Sequence, residues 1–63
     1  MKVYEIKEAI GDKIAGLDDS GNAAAMWAGT GSEERNEYVI MVQRGMTIEA
    51  AAQHFVDMNQ IDG

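Results

Sequence analysis

Val3, Ile6, Ile10, Ile14 and Leu17 stand three, four, four and three residues apart. At about 3.6 residues per turn this spacing puts five large apolar groups on one stripe of a helix, and strand alternation fits it less well. Gly11 lies inside the stripe, where glycine costs about 1 kcal/mol relative to alanine, so a break or bend is expected there. A strand over residues 2–6 followed by a helix is the alternative. In the helical reading Glu5, Glu8 and Asp12 share a face turned away from most of the apolar stripe.

"DDSGN", residues 18–22, reads as a loop, because Asp, Asn and Ser side chains bond nearby backbone and glycine takes positive φ freely. It fails as a calcium loop begun at Asp18, since an EF-hand needs glycine at its sixth place and glutamate at its twelfth, and those places hold Ala23 and Gly29. "NAAAMWAGTG" follows, with Asn22 as the expected N-cap, a run of helix formers, and Gly29 and Gly31 to end about two turns of helix. Trp27, the only tryptophan, is expected to fill the core.

The stretch from Ser32 to Gly45 carries helix signals at both ends. Ser32 is placed to cap, Glu33 and Glu34 sit where the helix dipole favours negative charge, and Arg44 before Gly45 marks a stop. Between them "YVIMV" is a run of strong β-formers, so a buried strand over residues 37–43, paired as a hairpin with "NAAAMWAG", is the rival. The final segment is the clearest. Thr47 caps, Glu49 lies in the first turn, and Ile48, Ala51, Ala52, Phe55 and Met58 recur on one helical face, with Glu49, Gln53 and Asp57 on the other. Met46 is placed to pack on Ala51 as a hydrophobic staple, and alanine at position 50 excludes a capping box.

These patterns predict a mainly α, small three- or four-helix single domain over residues 1–63, ending in an αα-hairpin. The alternative is an α+β domain with a short hairpin over residues 22–43 and flanking helices. The expected core is Val3, Ile6, Ile10, Ile14, Leu17, Trp27, Tyr38, Val39, Val42, Ile48, Ala51 and Phe55.

Composition narrows the function classes. Sixty-three residues bury only about 60% of their unfolded surface, which makes stability marginal and a partner or second copy useful. Without cysteine no disulfide is available, and no structural metal or other cofactor is expected. No leader pattern and no run of about 18 apolar residues is present, so a soluble, cytoplasmic protein without a membrane partner is expected. Five Lys and Arg against eleven Asp and Glu give a formal charge of −6. Nucleic-acid binding draws its affinity from cations that neutralise phosphates, so direct nucleic-acid binding is not expected. The carboxylates run from Glu5 to Asp62 with no acidic block, as on a folded surface.

"GMTIEAAAQHF", residues 45–55, resembles the turn and second-helix entry of helix-turn-helix regulators and of many small helical hairpins. In a DNA reader a further turn and a recognition helix with Arg, Lys, Asn or Gln would follow. Here "VDMNQIDG" follows instead. Used as the reader, the Ala-rich helix would offer the groove Glu49, Gln53 and His54, with only Arg44 nearby to hold phosphate. An αα-hairpin chosen for packing is the preferred reading, and a degenerate regulator is the alternative.

No catalytic residues emerge. His54 is the only imidazole, and its place at the edge of the apolar face predicts a half-buried packing residue. Ser20 and Ser32 stand in loop-like places, and "GTGSEER" lacks the lysine and preceding strand of a phosphate loop. A non-enzymatic binding protein is therefore expected, with two classes open. The first is a small acidic inhibitor or adaptor that docks a basic, nucleic-acid-binding surface of a larger protein through Glu5, Glu8, Asp12, Glu33, Glu34 and Glu37. In small size and acidity alone, with no motif to carry it, such a protein resembles phage-encoded anti-restriction and anti-CRISPR proteins. The second is a structural module in which Met1, Met26, Met41, Met46, Met58 and Trp27 complete an apolar homodimer interface.

Overall fold

A computed structural model describes residues 2–59 of the chain. Met1 and Asp62, counted above, lie outside that range. Among the described residues there are four helices and no strand: α1 (Val3–Leu17), α2 (Asn22–Gly29), α3 (Ser32–Gln43) and α4 (Ile48–Met58). The mainly α reading holds, and both strand alternatives, over residues 2–6 and over 22–43, are overturned.

α1 runs unbroken through Gly11. The glycine is there for room: a Cβ at this position would lie 3.0 Å from both Cδ1 and Nε1 of Trp27. At the start of α1 the Lys2 amide donates to Glu5 Oε1 at 2.9 Å, which satisfies a donor that a helix N-terminus otherwise leaves to water. At its end the chain turns through residues 18–21 and enters α2. Asp18 organises that turn. Its Oδ1 accepts from the Ser20 amide and hydroxyl at 3.1 and 2.7 Å, its Oδ2 accepts from the Ala23 amide at 2.9 Å, and Ser20 Oγ accepts from the Asn22 amide at 3.2 Å. The expected Asn22 cap is thus corrected. Asn22 is the first helical residue, Gly21 holds the cap position at φ 80°, and Ser20 and Asp18 satisfy the first two free amides of α2, those of Asn22 and Ala23.

Ser32 is likewise corrected. It opens α3 as a helical residue after Gly31, and no side chain caps that end. The stop is as expected, with the Gly45 amide bonded to Val42 O and the Met46 amide to Met41 O, both at 3.0 Å. This is the Schellman arrangement, which needs a residue at positive φ, and Gly45 has φ 117°. Thr47 caps α4 as read, its Oγ1 accepting from the Ala50 amide at 3.0 Å.

α1 is the central element. It packs against each of the other three helices, most extensively against α4. Ile10 and Ile14 are wholly buried, each contributing about 1.5–3 kcal/mol by leaving water. Around them lie Ile6, Ala23, Trp27, Val39, Ala51, Ala52, Phe55 and Val56, with Tyr38, Val42 and Ile48 half-buried against the cluster. Trp27, Tyr38 and Phe55 come from three helices and meet edge to face, their centroids 5.1 to 5.8 Å apart. Such pairs add about 0.5–1.5 kcal/mol each beyond the area they bury. Two expected core positions, Val3 at 45% and Leu17 at 37%, are exposed instead, as is Met58, read on the apolar face of the final helix, at 68%. All three lie at helix ends, where the stripe outruns the helices that cover its middle.

Candidate functional site

Six of the ten carboxylates among the described residues fall in two groups. Glu5, Glu8 and Asp12 are all exposed on α1, while the same helix buries Ile6, Ile10 and Ile14. At about 100° per residue the acidic arc lies opposite the isoleucine arc, so burial of one side fixes the other toward solvent. Glu33, Glu34 and Glu37 are exposed on α3 in the same way, with Val39 buried and Tyr38 and Val42 half-buried on the side facing the core. α1 and α3 pack on one another. Among the described residues no hydrogen bond or ion pair joins one acidic group to the other.

The six carboxylates differ in how free they are. Glu5 already accepts from the Lys2 amide, so part of its role is local. Glu33 and Glu34 lie in the first turn of α3, where the positive end of the helix dipole stabilises them. The α3 group also acts on a neighbouring side chain. The Tyr38 phenol is pushed above its usual value of 10.0, first by burial and then by the negative charge of Glu34 and Glu37. The ion pair within 4 Å among the described residues is elsewhere, between Lys13 Nζ and Glu49 Oε2 at 3.9 Å, with both side chains well exposed. A pair so hydrated contributes little to stability.

Asp18, in contrast, is spent on structure. Its hydrogen bond from the Ser20 hydroxyl, then those from the Ala23 and Ser20 amides, hold its carboxyl below the usual 3.8, against a smaller opposing effect of burial. An aspartate at a helix end with serine two residues on is the signature of such a turn, and the composition of "DDSGN" carried it.

His54 is corrected from half-buried to exposed; its ring tilts at 46° against Tyr38, with centroids 5.9 Å apart. On the outer side of α4 Gln53 Nε2 donates to Asp57 Oδ1 at 2.8 Å, and the helix contains neither Lys nor Arg. Among the described residues no three His, Asp or Glu side chains converge so as to hold a metal ion, and no helix is long and apolar enough to cross a membrane. Pattern reading missed two exposed apolar groups beside the carboxylates. Tyr4, 63% exposed, stands four residues before Glu8, and Ile40, 44% exposed, stands three after Glu37. Ile40 was hidden inside an apolar run, whose helical geometry turns one member outward. No family model matches the chain, and neither does any curated protein or solved structure.

Proposed function

We propose that this protein is a non-enzymatic binding module, a small acidic inhibitor or adaptor that docks a basic, nucleic-acid-binding surface of a larger protein through the outward arcs of α1 and α3. One observation carries the reading: all six carboxylates are exposed opposite buried arcs, and none is neutralised by a Lys or Arg within 4 Å among the described residues. Side chains three and four residues apart on a helix are about 5–6 Å apart, of the same order as the separation of charges along a phosphodiester strand. A basic groove built for phosphates would meet a comparable ladder of negative charge. The net charge of −6 also speeds encounter with such a surface. Anti-restriction or anti-CRISPR activity is one biological setting that an inhibitor of this kind would serve.

The test is an affinity pulldown from cell lysate, washed at about 0.1 M and about 0.5 M salt, where screening lengths differ roughly twofold. A discrete nucleic-acid-binding protein retained at low salt and released at high salt is expected. Recovery of only the protein itself, insensitive to salt, would overturn the reading in favour of a self-associating structural module. With the partner in hand, joint replacement of Glu33, Glu34 and Glu37 by Lys abolishes binding, and joint replacement by Gln weakens it with the helical circular dichroism unchanged. Retained affinity in both variants removes α3 from the interface.

A further inference from the structure

We draw no further inference here: the strongest candidate, the exposed apolar side chains Tyr4 on α1, Ile40 on α3 and Met58 on α4, carries none because nothing in the structure shows what covers them.

Discussion

Replacing Gly11 by Ala reverses the sign that helix propensity alone assigns. In a helix interior alanine is favoured over glycine by about 1 kcal/mol, and Gly11 stands in the middle of α1. The added methyl, however, would sit 3.0 Å from Cδ1 and Nε1 of Trp27, well inside the roughly 3.5–4.0 Å of favourable carbon contact. The indole has little freedom to yield, being 6% exposed and held edge to face by Tyr38 and Phe55. Overpacking of this kind costs about 1–3 kcal/mol. Set against the propensity gain, the net is a loss of about 1 kcal/mol, or about 4–8 °C in melting temperature for a domain of this size.

Gly16→Ala is the internal control, since it lies on the same helix with no atom within 4 Å of the new methyl, and it gains up to about 1 kcal/mol. Thermal and urea unfolding followed by far-ultraviolet circular dichroism compares the two variants, and fluorescence reports locally because Trp27 is the sole tryptophan. A second arm isolates the contact: in a Trp27→Leu background Gly11→Ala becomes favourable, a non-additivity expected only for touching residues. If Gly11→Ala raises the melting temperature as much as Gly16→Ala does, the close approach of α1 to the indole is refuted.

Thr47→Ala, which removes the hydroxyl that accepts from the Ala50 amide, lowers stability by about 1 kcal/mol; an unchanged urea midpoint contradicts the cap. Asp18→Ala flattens the acid limb of the stability curve. Because the native carboxyl lies below its usual 3.8, its contribution is present above that pH and is lost as pH falls through the lower native value, so urea titrations of wild type and variant converge toward low pH. Tyr38 works at the opposite end. Its phenol is raised above 10.0, so its contribution is complete below that value and is lost as pH rises through the native one; the Glu33, Glu34 and Glu37 triple Lys variant brings phenolate absorbance to lower pH. Ile14→Val costs about 0.5–1.5 kcal/mol in unfolding experiments, whereas Leu17→Ala, at the exposed end of the same stripe, costs no more than about 0.5.

The helices were legible where several signals agreed. Thr47 before an amphipathic run, and Gly45 after an apolar one, each dictate a local geometry that needs little from the rest of the molecule. What pattern could not supply was the extent of cover. Val3 and Leu17 belong to the stripe by spacing, but cover depends on where neighbouring helices end, and that is a property of assembly. On α4 the same effect shifts the buried arc from Met58 to Val56. Gly11 shows a different limit, because propensity treats it as a weakness in the helix, while its cause is an indole sixteen residues on, in another helix. The β-formers of "YVIMV" lost to context: end signals at Glu33, Glu34 and Gly45 favour a helix, and only Val39 of the five is fully buried. The acidic faces were legible for the same reason as the core, since on a helix the position of one arc dictates the other.

The dominance of the α1–α4 interface has a consequence for biosynthesis. α1 is made before α4, and their contact is the most extensive among the described helices. A nascent chain paused after α3 has its isoleucine stripe without its main cover, and a lone helix of 15 residues is marginal in water. The isoleucine row of α1 gains its most extensive cover only once α4 has been made, and until then it is more open to chaperones and to neighbouring nascent chains.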